Sequence, residues 1–400
     1  MTDPTPPVDA PGNLAASSRV SCVMQPKHPG DRQPARRFPV RPPGARPDRL
    51  RRGLLALAAV GIVAGLLLVA DGTDQRSGPS VTRPASVDSA VERPVTLAFA
   101  GDVNVEGSAR AVLSGGLDAA APVLTAADLT VVNLETAVTQ GGERADKQFA
   151  FKAPAATFAA LREAGVDVVT MANNHGMDYG EQGLRSSLAA AGAAGLPVVG
   201  LGLDERSAYA PHVATVRGRR IAVLGATQVL DAAFETAWTA RGERPGMASA
   251  KREDRLLEEV RAARTTADVV VVYLHWGKEL QSCPLARQQV LARQLVAAGA
   301  DVVVGAHAHV LLGGGYLDGG YVDYGLGNFA FAARRTETAR SGVLTLTVQD
   351  RSVTQSRWTP AVVRGGVPVL LDGAAAQEAL RYKQGLTACA GLGPAPTDAS

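Results

Sequence analysis

Five short apolar runs in this chain each end at a residue able to ligate a metal ion. LAFA is followed by Gly101-Asp102-Val103-Asn104, LTVV by Asn133-Leu134-Glu135 and VVTMA by Asn173-Asn174-His175. VVVVYL is followed by His275-Trp276-Gly277, and VVVG by Ala306-His307-Ala308-His309. Four of the chain's six histidines fall in this set, with one Asp, one Glu and several Asn. Mixed oxygen and imidazole donors suit a divalent transition metal such as Zn, Mn or Fe better than a thiolate site or an all-oxygen cage suits one. On an extended segment His307 and His309 point to the same side, which fits two adjacent coordination positions. Each motif alone has a plainer reading. Asp102 could form a turn or cap a helix, Asn-Asn-His could be loop chemistry, and His275 could pack against Trp276. The recurrence of all five at one end of successive apolar runs is what points to a single site.

The runs read as strands. Candidates are VTLAFA, LTVVN, VDVVTMA, LPVVG, RIAVLGA, DVVVVYL, DVVVG, YVDYG and VLTLTV, with helical stretches at 155–164, 182–193, 252–264 and 285–298. In AGVDVVT and AGADVVV a helix stops at Gly just before a strand. Strand–helix alternation argues an α/β layered fold with largely parallel strands. In such sheets ligands bind outside the carboxyl ends of the strands, where all five motifs fall. No internal repeat is evident.

The chain has 400 residues, 46% of them hydrophobic and 20% charged, ample for a large core. Its net charge is +3, but residues 1–52 carry ten Lys/Arg against four Asp/Glu, so the remainder is near −3. That balance excludes a basic nucleic-acid surface. Residues 1–52 also hold eleven of the 24 prolines and read as a disordered basic tail. Gly53 to Ala70 is uncharged for eighteen residues. As a helix it spans roughly 27 Å, near the thickness of a bilayer core. Arg46, Arg49, Arg51 and Arg52 precede it, which keeps the tail inside and sends the rest outside. It reads as an uncleaved signal anchor; a cleaved signal peptide with a long basic lead is the alternative. Residues 71–94 read as a polar linker, 95–385 as the globular domain and 386–400 as a flexible tail. Cys283 and Cys389 lie outside, either as a disulfide or as two isolated thiols. No Ser-His-Asp arrangement or phosphate-cradling loop is present.

The ordered set GDVNVEG, VVNLETAVT, FKAP, VVTMANNHGMDYGEQGL, LHWGKEL, GADVVVGAHAHV and YGLGNFAF, between about Val95 and Thr347, resembles the CapA family of poly-γ-glutamate (capsule) synthesis proteins. That family is related to the calcineurin-like metallophosphoesterases. The resemblance implies a four-layer α-β-β-α sandwich holding one or two metal ions. It makes Asp102 and His309 ligands of the first ion, and Glu135 the bridge. Asn174, His275 and His307 become ligands of the second ion, and His175 the group that assists the leaving oxygen. Lys152, Asn173, Glu279 and Asn328 would line the substrate pocket, although Lys152 also reads as a surface lysine at a helix start. The wider superfamily has Asp-x-His in its first motif. Here position 104 is Asn, a weaker neutral donor, so Asn104 is expected to hold one ion loosely or to leave a mononuclear site.

Three functional readings follow. The first is a membrane-anchored protein of poly-γ-glutamate or related capsule-polymer synthesis or export, with a metal-dependent hydrolase site outside the membrane. Its partners would be an anionic polymer and membrane synthase or export subunits. The second is a general extracytoplasmic metallophosphoesterase. The third is a non-catalytic polymer-binding subunit.

Overall fold

The computed structural model describes residues 93–394. The basic tail, the anchor at 53–70 and almost all of the linker lie outside the described residues. Among those described, no helix is long and apolar enough to cross a membrane.

Two mixed sheets face each other. The first runs Val367–Leu370, Ser352–Arg364, Arg340–Gln349, Val95–Val103, Leu129–Leu134, Val168–Thr170 and Val198–Val199. Its last four strands are parallel and its first three pair antiparallel. Asn328–Ala330 adds beside the end of Val95–Val103. The second sheet runs Gly314–Leu317, Gly320–Asp323, Val302–Ala306, Val269–His275, Arg219–Thr227 and His212–Val216, parallel in its middle four.

The pleat sorts side chains into layers. Along Val269–His275, Val269, Val271 and Tyr273 join the core between the sheets, and Val270, Val272 and Leu274 join the core beneath the helices. Val95, Leu97 and Phe99 face inward in the same way from the first sheet, whereas Ala98 and Ala100 face out. Strands buried on both faces need apolar residues at every position, which is why they stand out as unbroken Val-rich runs. The helices Ala156–Glu163 and Gly180–Ala194 cover the outer face of the first sheet, through Phe158, Leu161 and Leu184. Glu253–Arg264 and Ala286–Ala298 cover the second, through Leu256, Val260, Leu291 and Leu295. Gly165 and Gly299 take φ of 93° and 114° at the expected helix stops. The Tyr273 hydroxyl donates to the Ala100 carbonyl at 2.7 Å and ties the two sheets together.

The segment from 386, expected to be a tail, is built into the domain as far as 394. After the helix Gly373–Gly385 comes the 3-10 turn Leu386–Cys389. Cys389 is disulfide-bonded to Cys283. Gly393 pairs with Tyr316. Lys383, on the helix, pairs with buried Asp323 at 2.8 Å and donates to the Leu312 carbonyl at 2.6 Å. These links fasten the C-terminal helix to the edge of the second sheet. No strong apolar period announces this helix, and its attachment depends on residues some 60 positions away.

Candidate metal centre

The first strand reaches the site through a close approach. A side chain at Gly101 would place its Cβ 1.9 Å from the Gly327 carbonyl oxygen. Glycine there allows the Asp102 N–H to donate to that oxygen at 2.9 Å. The register with Leu129–Leu134 slips at the same point, between Ala100 and Asp102. Asp102 is then aimed over the sheet end, fully buried. Its Oδ1 accepts from Asn133 Nδ2 at 2.8 Å and its Oδ2 from the His307 N–H at 3.2 Å.

Ligand atoms of Glu135, His275 and His307 lie within 4.8 Å of one another, as do those of Asp102, Glu135 and His309. Glu135 is common to both groups. Asn174 joins the first group, its Oδ1 2.7 Å from His275 Nε2. His307 and His309 thus fall in different groups, but not from an extended segment as expected. Both lie past the end of their strand with positive φ, 97° and 56°, a turn that splays the rings to 6.1 Å between centroids. Non-glycine residues at such φ are strained, and the surrounding structure must hold them there.

The electrostatics favour a cation in the site. Burial, and then the Asp102 charge, pushes the Glu135 carboxyl up to about 8. Burial opposes charge on His309, but the Glu135 and Asp102 carboxylates overcome it and raise the imidazole to about 10. Burial lowers His275 to about 3 and holds His307 well below the usual range. Burial works against ionisation of Asp102, but His309 outweighs it and keeps the carboxylate low. Neither Glu135 oxygen has a hydrogen-bond partner, nor does His307 Nδ1. A buried carboxylate with no hydrogen bond at either oxygen is costly. Set beside His275 and His307, which burial keeps neutral, and with His307 Nδ1 free to donate a lone pair, it fits a divalent metal ion.

The other expected residues are placed as follows. Asn104 is beside the cluster, but its Nδ2 donates to the Glu135 carbonyl at 3.3 Å and its Oδ1 accepts the Glu106 N–H at 2.7 Å. His175 presents Nδ1 to buried Asp178 Oδ2 at 2.6 Å and packs on the Phe151 ring. Asn173 is fully buried and acts as a brace, donating to Asn133 Oδ1 at 3.0 Å and to the Leu134 carbonyl at 2.9 Å. Asn328 meets His309 Nδ1 at 2.9 Å through Oδ1 and donates to the Thr338 carbonyl at 3.0 Å. Glu279 is exposed, and its charge bears on Glu135 and His275. Lys152 is exposed with its ammonium 5.2 Å from the centre of the Tyr179 ring. With Glu106, Gly107 and Arg110 it borders an open hollow of about 370 Å³.

Three residues join to which the sequence assigned no role. Asn133 bridges the sheets, its Nδ2 lying 3.2 Å from His275 Nδ1. Asp178 sits three residues after His175, a spacing visible in NNHGMD. Lys147 donates to the Asn174 carbonyl at 2.5 Å and pairs with Asp178 at 3.0 Å. It comes from a distant loop with no sequence signal.

The family described as bacterial capsule synthesis protein PGA_cap matches residues 96–333. The chain is 35% identical over 230 residues to the capsule biosynthesis protein CapA of Bacillus anthracis, covering 56% of this chain and 55% of that protein. It is 32% identical over 250 residues to the PGA biosynthesis protein CapA of Bacillus subtilis (strain 168), covering 62% and 64%. A probable polyglutamine synthesis accessory protein of Mycobacterium tuberculosis is 32% identical over 192 residues, covering 46% and 50%. The chain therefore spans between half and two thirds of the length of these relatives. Among solved structures, a phosphatase of Mycoplasma pneumoniae is 16% identical with a TM-score of 0.43, covering 72% of this chain and 97% of that one.

Proposed function

This chain belongs to the PGA_cap family of bacterial capsule synthesis proteins, and from that premise we propose that it serves poly-γ-glutamate or related capsule-polymer assembly through a metal-dependent phosphoesterase-type site. The layering of helices on two facing sheets is consistent with the metallophosphoesterase sandwich. The observation that carries the reading is Glu135, buried, shared by two ligand groups and without a hydrogen bond at either oxygen.

In this reading Glu135, His275, His307 and Asn174 hold one divalent ion, and Asp102, Glu135 and His309 hold the other. Bound there, such ions supply Lewis-acid charge that neutralises an ester's oxygens and activates water. The chain's own residues do the rest. Asp178 accepts from His175 Nδ1 and leaves Nε2 to carry a proton to a leaving oxygen. Lys147 fixes Asp178 and the Asn174 backbone together. Asn133 and Asn173 brace the strand ends so that the donors do not reorganise during reaction. Asn104, whose oxygen faces the Glu106 N–H, leaves the Asp102 side with fewer donors, so the two positions hold ions unequally.

We place the domain outside the cell membrane, tethered by the apolar segment at 53–70. The disulfide between Cys283 and Cys389 supports an oxidising compartment. Tethering raises the local concentration near membrane synthase or export subunits.

The test is elemental analysis of the purified full chain with hydrolysis of a model phosphodiester, beside His307→Ala. Wild type should hold a transition metal and turn the ester over, and the variant should lose both. Metal-free wild type, after incubation with Zn²⁺ or Mn²⁺, would sink the reading. Stable metal binding without turnover would leave a polymer-binding subunit in its place.

A further inference from the structure

A second cavity, of about 530 Å³, opens beside the C-terminal helix Gly373–Gly385. Its volume falls in the usual range for small-ligand sites. Arg340, Arg364 and Arg381 line it against a single carboxylate, Glu378. Among the described residues, none of the three guanidinium groups donates a hydrogen bond or joins an ion pair. Arg340 stacks 3.9 Å over the Tyr382 ring. Stacking fixes the plane of the guanidinium and leaves its in-plane N–H groups free. Ser341, also in the lining, is 2% exposed, and its hydroxyl has no partner. The indole Nε1 of Trp358, on the cavity wall, is likewise buried and unpaired. Buried donors are normally satisfied, so both groups are uncommon, and the three guanidinium groups facing the cavity remain its open donors.

We propose that this cavity is a carboxylate-binding subsite that seats a stretch of the anionic polymer apart from the metal cluster. The inference rests on the capsule-polymer reading for the identity of the chain bound. Guanidinium forks match carboxylates in a bidentate geometry. The arginines come from three elements. Arg364 stands two positions beyond Val362, the cross-strand partner of Arg340, a diagonal of about 7–8 Å. Charge spread in this way suits a run of carboxylates better than one tetrahedral anion.

The cavity also shares its framework with the metal site. Leu311, in its wall, follows His309 by two residues. Thr336, also in the wall, opens the short helix Thr336–Ala339, whose Thr338 carbonyl is held by Asn328, the partner of His309. A polymer seated here is therefore anchored beside the turn that carries His307 and His309.

The experiment is fluorescence anisotropy of a short labelled oligomer of γ-linked glutamate on the full chain in detergent, at low and high salt. Arg364 and Arg381 are exposed, so the double variant Arg364→Gln/Arg381→Gln should fold. We expect salt-sensitive binding to wild type, loss of roughly tenfold or more in the double variant, and normal binding to His307→Ala. Inorganic phosphate at matched charge should compete poorly. Binding unchanged in the double variant, or lost only in His307→Ala, overturns the subsite while leaving the polymer reading standing. Absence of binding to wild type at low salt overturns it too. Metal content and phosphodiester hydrolysis in the same preparations judge the metal reading separately.

Discussion

Loading the metal-free protein with a divalent cation should expel about two protons at neutral pH. The perturbation is addition of Zn²⁺ or Mn²⁺ to chelator-treated protein. Glu135, raised to about 8, and His309, raised to about 10, both hold a proton at pH 7. His275, at about 3, and His307, also lowered, are already neutral and release nothing. Asp102 is already ionised. Ligation needs an ionised carboxylate and neutral imidazoles, so both held protons must leave. Below about pH 8 the affinity should then climb about 100-fold per pH unit, or about 2.7 kcal/mol. Between about 8 and 10, where only His309 still carries its proton, the climb should fall to about tenfold per unit. Calorimetric titration in buffers of different ionisation heat reads the proton count directly. Glu135→Gln, which has no carboxyl proton to lose and no charge to hold up His309, should release at most one. Wild type that releases none, with an affinity flat from pH 6 to 8, would refute the claim that this site stores protons in place of metal.

The same groups set the stability of the metal-free protein. Glu135 and His309 bind protons more tightly when folded than when unfolded, so their contribution falls as pH rises. Thermal midpoints of chelated protein should therefore drop from pH 7 to 9, and added metal should remove most of that drop. The disulfide closes a loop with a sequence separation of 106, for which chain entropy gives up to about 4–5 kcal/mol. Cys283→Ala/Cys389→Ala should lose about 2–4 kcal/mol in denaturant titration, and a reductant should change the double variant no further. Asp178→Asn should lower turnover of a model phosphodiester roughly 100-fold or more with metal content unchanged; equal loss of metal would mean that Asp178 holds the ligands rather than His175. Gly101→Ala, whose Cβ would meet the Gly327 oxygen at 1.9 Å, should cost about 3 kcal/mol or more and release Asp102 from its place, read as lower stability and weaker metal binding.

Much of this protein is legible in its sequence because its central strands are parallel and buried on both faces. Such strands must be apolar throughout, so their carboxyl ends show as abrupt changes to Asp, Asn, Glu or His. Each of the nine strand runs read from the sequence contains a strand, and each of the four helical stretches contains a helix. The antiparallel edge escaped. Ser352–Arg364, thirteen residues long, carries Thr354, Gln355, Ser356 and Arg357, because that part of it faces solvent. No apolar run marks a strand of that kind.

In the candidate site, residue types and spacing picked out side chains that the structure brings together, but not how they are arranged. That His307 and His309 diverge depends on a left-handed turn, which depends in turn on what packs around it. Whether Asn104 offers its oxygen inward is decided by the Glu106 N–H, and whether Asn173 touches solvent by Asn133 on the neighbouring strand. Lys147 reaches Asp178 from a loop 31 residues upstream, and the arginine-lined cavity forms only when the C-terminal helix docks beside two distant strands. Local sequence determined the strands, the helix stops and the kinds of side chain at the strand ends, because these follow from short-range sterics and from burial. Tertiary structure alone decided which ligand faces which, how burial shifts their charge and where the second cavity opens, because those depend on residues that meet only after the two sheets have packed.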